Sequence, residues 1–363
     1  MNNKKRIAMY LSIILSVLLI IALAGCGGGG KEAPKTPAAN PAAPAQPVKI
    51  RVSHQPEFET FLTYRAIKEG LDKKLGLDIE LKYFDSGMPQ IEALPANQWD
   101  IGATGGVPAL MAALRYDTYT IAIADDESFT NAVLARPDSP LLKGESPKGK
   151  NILVTTVSSG HYALSQYLKA KGLADKDVKI QNLEQPQAVA AFESGKGDAV
   201  SLWAPFMYTG MQKGWKIVAT GDQVKAKIPL VIVANKKFAD AHPELVVKFL
   251  DLYFQEIDKI KKEGGKLAPE YKAFMKDWAA IDMTLEDAKM DIESHPVFTL
   301  EEQLKLFDNS KGNSEVYQWM NGVAAFFTEQ GRFKPEERDK VMKSPFINDK
   351  FLKMLAKEKG LIK

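Results

Sequence analysis

Five short segments carry the side chains able to hold a small polar molecule. They are Ser53-His54-Gln55-Pro56, Ser86-Gly87, Thr104-Gly105-Gly106, Ser158-Ser159-Gly160-His161 and Trp203-Ala204-Pro205-Phe206. Their chemistry is that of binding: hydroxyls, an amide and glycine backbone N–H groups for hydrogen bonds, and aromatic rings for an apolar wall. Each has a plainer use as well, since Ser and Thr before a helix cap it, paired glycines ease a turn, and Trp203 is large enough for a core. Catalysis would need a nucleophile beside a base, or a cofactor loop. The chain has one cysteine, Cys26, near its start, it lacks a serine elbow, and Thr104-Gly105-Gly106-Val107 is too poor a match for a phosphate loop. His54 and His161 have no partners at metal-ligand spacing, so neither metal nor cofactor is expected. A sixth segment, Asp125-Asp126-Glu127, is either a solvated acidic loop or, with Glu127 turned inward, a partner for an ammonium group.

These segments gain meaning from the elements that precede them. Val48 to Val52 and Leu77 to Phe84 alternate with the period of a strand, and Trp99–Ala103 and Tyr119–Ala124 read as strands too. Helical spacing separates them. The pattern restarts at Asn151–Thr156, Val178–Leu183, Asp198–Leu202 and Trp215–Ala219. Repeated strand-helix units predict an α/β fold of two mostly parallel sheets covered by helices. All six segments then follow the carboxyl ends of strands, where open α/β sheets place their ligands. Extended runs around Val133 and Ile232 bracket the second sheet and read as two crossings that form a hinge. The expected division is 48–131 and 230–363 for one lobe and 136–226 for the other. The helices after Pro243 are expected to complete and cover the first lobe.

The N-terminus reads as an address. Lys4-Lys5-Arg6 leads into an apolar run from Ile7 to Leu23, short for a membrane span and suited to a secretory signal over 1–25. It closes on Leu23-Ala24-Gly25-Cys26, which resembles a bacterial lipobox and implies a lipid on Cys26. Residues 26–47, rich in Gly, Pro and Ala, read as a tether. The three early cations account for the excess of 48 basic over 45 acidic residues, so the remainder is balanced and no nucleic-acid partner is expected.

The segments together carry a family resemblance. Ser86-Gly87 through Glu92-Ala93-Leu94, Trp99-Asp100-Ile101-Gly102, Gly106-Val107-Pro108-Ala109, Ser158-Ser159-Gly160-His161-Tyr162-Ala163-Leu164, Ala190 to Gly195, and Gly197-Asp198-Ala199 through Trp203-Ala204-Pro205 resemble the nitrate, sulfonate and taurine group of ABC solute-binding proteins. The resemblance covers roughly residues 48–260. It implies a two-lobed periplasmic-binding-protein fold of the second topological type, with the ligand between the lobes. It places contacts at Gln55, Thr104, Gly105, Ser158, Ser159, His161 and Trp203, and the strand-end position adds Gly87. It implies a monomer outside the cytoplasm that hands its ligand to an ABC permease and does no chemistry on it. Arg is missing from all five loops, so an oxyanion would be held by hydroxyls, backbone N–H groups and helix ends. The expected ligand is therefore a small organic anion, a sulfonate or a taurine-like molecule. The alternatives are nitrate, a thiamine-pyrimidine-like ligand, or a sensor role on the same fold.

Overall fold

The computed structural model describes residues 46–363. The expected signal segment, the lipid on Cys26 and almost all of the tether lie outside them. No described helix is long and apolar enough to cross a membrane.

Two five-stranded mixed sheets organise the chain. In the first, β1 (Val48–His54) pairs in parallel with β2 (Leu77–Tyr83) along its whole length, from Val48 opposite Leu77 to His54 opposite Tyr83. The alternation in Val-Lys-Ile-Arg-Val sets this register, because a slip by one residue would turn Ile50 and Val52 out of the core. Helix α1 (Phe58–Lys68) follows β1, and α2 (Gly87–Glu92) follows β2. Strand β3 (Ile101–Gly105) runs into α3 (Gly106–Tyr116), and β4 (Thr118–Asp126) closes this part of the sheet.

The second sheet contains β5 (Asn131–Ala135), β6 (Asn151–Val154), β7 (Lys179–Asn182), β8 (Ala199–Trp203) and β9 (Lys216–Thr220). Its helices are α4 (Ser159–Ala170), α5 (Gln185–Glu193) and α6 (Phe206–Gln212). Strand β10 (Pro229–Asn235) then returns to the first sheet, antiparallel between β3 and β4. The strand orders are 2-1-3-10-4 and 7-6-8-5-9. The extended runs at Val133 and Ile232 are thus strands inside the sheets, not the crossings themselves. Each is antiparallel to its neighbours and fully apolar because it is buried on both faces.

The chain crosses just before β5 and just before β10. The two crossings are tied to each other: Glu127 N–H donates to the Ile228 carbonyl (2.9 Å) and Gly221 N–H to the Asn131 carbonyl (3.1 Å). Asp126 fastens the same point, accepting from the Ile228 N–H and pairing with Lys227 at 2.6 Å.

After β10, α7 (Pro243–Glu263) packs with α1. Its stripe of Val246, Phe249, Leu250, Tyr253, Ile257 and Ile260 repeats at three- and four-residue spacing, and Pro243 and Gly264 mark its ends. Next come α8 (Ala268–Ala279), α9 (Leu285–Glu293) and α10 (Glu315–Glu329). These helices do more than cover the first lobe. Gln212 of α6 donates to Asp287 of α9 (2.6 Å), Lys169 of α4 pairs with Glu329 of α10 (3.1 Å), and the Tyr162 and Phe326 rings meet at 5.3 Å. The C-terminal helices therefore grip both lobes. A tail segment around Ile347 forms an isolated bridge on the β4 edge as well, where Thr120 N–H bonds the Phe346 carbonyl and Asn348 N–H the Thr120 carbonyl.

Candidate functional site

The sequence-predicted segments converge between the two sheets, and the convergence follows from topology: each continues a strand at its carboxyl end. On the first lobe, Gln55 and Thr104 are joined by side chains. The Gln55 amide donates to Gln90 Oε1 (2.9 Å) and to Thr104 Oγ1 (3.2 Å), all three buried. Gly87 lies against them, and a Cβ there would fall 2.4 Å from Pro108 Cγ and 2.7 Å from Thr104 Oγ1. Glycine is required here by the close approach of α2 to α3, not by its dihedral freedom.

On the second lobe, Ser158 is a helix cap. Its Oγ accepts from the His161 N–H (3.2 Å) and donates to the Thr155 carbonyl (2.6 Å). His161 is fully engaged: Nε2 is 2.6 Å from Asp175 Oδ2, Nδ1 accepts from the Val157 N–H (3.3 Å), and the ring meets Phe326 of α10 edge-on. Both residues shape the start of α4. Ser159 faces the other lobe: a Cβ on Gly105 would stand 2.7 Å from its Oγ. Ser86 and Glu184 also reach each other across the cleft. The N-termini of α3 and α4 thus oppose one another over a narrow gap. Trp203 is 3% exposed, stacks its ring edge beneath Gly160, and leaves its indole N–H without a partner.

Asp125, Asp126 and Glu127 are all buried. Asp125 and Asp126 point to opposite faces at the end of β4, where Asp126 fastens the crossings, and Glu127 begins the turn that follows. Both Asp125 oxygens and Glu127 Oε2 are unpartnered. Three further acids join them. Glu57 and Glu59 flank Phe58 at the start of α1, and Asp291 projects from α9. Tyr271 donates to Asp291 Oδ2 (2.7 Å), and Thr60 donates to Glu59 Oε1 (3.2 Å). His54 Nδ1 stands 3.7 Å from Glu59, and His295 stacks on Phe58 at 4.8 Å.

Burial dominates the titration of this region. It pushes Glu59, Glu127 and Asp291 up to about 8, with the Ser159 hydroxyl drawing Glu127 back and the Tyr271 hydroxyl drawing Asp291 back. Glu57 and Asp125 are raised well above the usual carboxylate range, first by burial and then by the neighbouring acids. Burial lowers His54 to about 3 and His295 to about 4, so both imidazoles are neutral at pH 7.

The sequence reading reached Glu127 and missed Glu57, Glu59 and Asp291. Glu57 directly follows the Ser53–Pro56 segment and Glu59 lies two residues further on, and both resemble ordinary first-turn acids of a helix. Asp291 carries no local signal, because its place depends on how α9 packs.

A family model described as "ABC transporter, phosphonate, periplasmic substrate-binding protein" matches residues 52–253. A putative aliphatic sulfonates-binding protein of Bacillus subtilis (strain 168) is 30% identical over 72% of this chain and 78% of its own length. The taurine-binding periplasmic protein of Escherichia coli (strain K12) is 30% identical over 56% of this chain and 64% of its own. Among solved structures, the alkanesulfonate-binding protein of Xanthomonas axonopodis pv. citri superposes with a TM-score of 0.68 at 19% identity, over 84% of this chain and 99% of that one.

Proposed function

The chain belongs to the periplasmic substrate-binding proteins of ABC transporters, and from that premise we propose that it captures a small organic sulfonate, taurine or an alkanesulfonate, between its lobes. The observation that carries this reading is the opposition of two helix N-termini at Gly105 and Ser159, each favouring negative charge in a narrow gap. The names of the relatives point the same way. Trp203 favours a ligand with an apolar part, which nitrate lacks. In this reading Gln55, Gly87, Thr104, Gly105, Ser159, Trp203 and Glu127 line the site, while Ser158 and His161 hold the start of α4 in position.

In this reading the ligand leaves unchanged, as in a family of substrate-binding transport proteins. The protein acts as a monomer outside the cytoplasm, tethered to the membrane through a lipid on Cys26, and delivers its load to an ABC permease. Calorimetric titration with taurine, ethanesulfonate and nitrate tests the ligand class. Submillimolar binding of a sulfonate supports it, and nitrate binding as tightly as either sulfonate ends it.

A further inference from the structure

A sulfonate leaves the acids unexplained. Glu57, Glu59, Asp125, Glu127 and Asp291 come from distant points of the chain, and each keeps an oxygen without a partner. His295 links several of them: its ring stacks on Phe58 between Glu57 and Glu59, its Nδ1 is 3.3 Å from Asp291 Oδ1, and its Nε2 is 3.3 Å from the Thr130 hydroxyl, which bonds the Glu127 carbonyl. Among the described residues none of them pairs with Lys or Arg; Glu59 and Asp291 have imidazole neighbours, and Lys227 is spent on Asp126. Such an arrangement does nothing for folding. A buried carboxyl without a partner is costly, and apolar residues of the same shape would leave the fold more stable. A second kind of orphan lies beside them. The Tyr253 hydroxyl is fully buried, near enough to Glu59 and Asp125 for both to act on it, and has no hydrogen-bond partner. Donors and acceptors left open together at an interlobe cleft await partners from a ligand.

We propose that Glu57, Glu59, Asp125, Glu127 and Asp291, with the Tyr253 hydroxyl, form a subsite for a cationic nitrogen, so that the transported solute presents an ammonium or amidinium group to the first lobe. The inference rests on the cleft being the solute site and is independent of the sulfonate. An organic cation suits the geometry better than a metal ion. Among the described residues no three His, Cys, Asp or Glu side chains converge closely enough to hold an ion, whereas an ammonium or a planar amidinium spreads several N–H donors over acids set farther apart.

The empty cluster holds protons, and a bound cation would displace them. His54 and His295 facing it stay neutral, as do Tyr208, Tyr253 and Tyr271, so the carboxyls are the groups that change. Neighbouring Asp126 accepts from Lys227 Nζ (2.6 Å), and Asp287 takes its bonds from Thr284 and Gln212.

The test is calorimetric titration of the full chain with taurine, ethanesulfonate and ethanolamine at pH 7, in two buffers of different ionisation heat, for the native protein, Asp125→Asn and Glu57→Gln. Taurine is expected to bind at least ten-fold tighter than ethanesulfonate and to release protons, and each variant to lose most of that preference. Equal affinity for taurine and ethanesulfonate overturns the subsite and leaves the sulfonate reading standing. Tight ethanolamine binding without ethanesulfonate binding upholds the subsite and ends the sulfonate reading. Failure of both amines to bind overturns the subsite. Should a variant not fold, proton release by the native protein and its taurine preference decide.

Discussion

Ser159 occupies the space that a side chain on Gly105 would enter, although the two residues belong to different lobes. Their approach is the tightest measure of how far the cleft has closed. Gly105→Ala would force the lobes apart by a methyl group without straining the backbone, since Gly105 sits at a φ of −57°. Overpacking of this kind costs about 1–3 kcal/mol. The expected outcome is ligand affinity reduced at least about five-fold, with an unchanged melting temperature for the empty protein. A lowered melting temperature with unchanged affinity would place the effect in folding, not closure.

The acids make stability depend on pH in a stated direction. Glu59 and Glu127 rise from 4.5, and Asp291 from 3.8, to about 8 on folding. Below about pH 4 both folded and unfolded chains hold these protons, and nothing is lost. Between there and about pH 8 the folded state keeps protons that the unfolded state has released. Stability therefore falls as pH rises, by about 1.4 kcal/mol per unit for each such group, and levels off above 8. The melting temperature of the empty protein should be higher at pH 5 than at pH 8 by differential scanning calorimetry. A rise across that interval would contradict it.

Trp203 is nearly inaccessible yet leaves its N–H unpaired, a combination that favours contact with a ligand over core packing. Trp203→Ala is expected to weaken binding by more than about 1 kcal/mol while the circular dichroism spectrum is kept. Equal affinity in the variant would reassign the ring to packing.

The C-terminal helices should act as a clasp. Gln212 of one lobe and Asp287 of the other meet at 2.6 Å. Removing that bond in Gln212→Ala should cost the closed form about 0.5–1.5 kcal/mol. Small-angle scattering of the variant should then report a larger mean radius of gyration than the native protein at the same subsaturating ligand concentration. Identical profiles would mean that the bond follows closure without favouring it.

Cys26 gives the simplest test of the anchor. Metabolic labelling with a fatty acid should mark the native protein and leave Cys26→Ala unmarked. Label retained by the variant would remove Cys26 as the attachment point.

The fold was legible because its signals are local. The alternation of Val48 to Val52 and the runs around Val133 and Ile232 are strands in the structure, and each strand end delivers the loop that follows it. What the sequence obscured was the role of the apolar runs: a strand buried on both faces and an extended crossing look alike when both are apolar. His161 was misleading for another reason. It follows Ser158-Ser159-Gly160 in the candidate loop, but Asp175, 14 residues on, claims its ring. Glu57 was visible but looked like any first-turn acid. Asp291, Tyr253 and Gln303, whose amide pairs both backbone groups of Ile123 in β4, act through contacts that no spacing rule reaches.

Four of the five clustered acids stand on elements of the first lobe, and Glu127 lies where the chain leaves it. The second lobe brings Ser159, Trp203 and the α4 N-terminus. This unequal division separates capture from retention in time. Empty, the first lobe's carboxyls hold protons that an arriving cation must displace, so changes at Glu57 or Asp125 should appear mainly in the pH dependence of the association rate. The second lobe arrives afterwards, so changes at Trp203 should appear mainly in how slowly the solute escapes. Opening the cleft then takes Ser159 and Trp203 away from the solute and leaves it only the carboxyls of the first lobe.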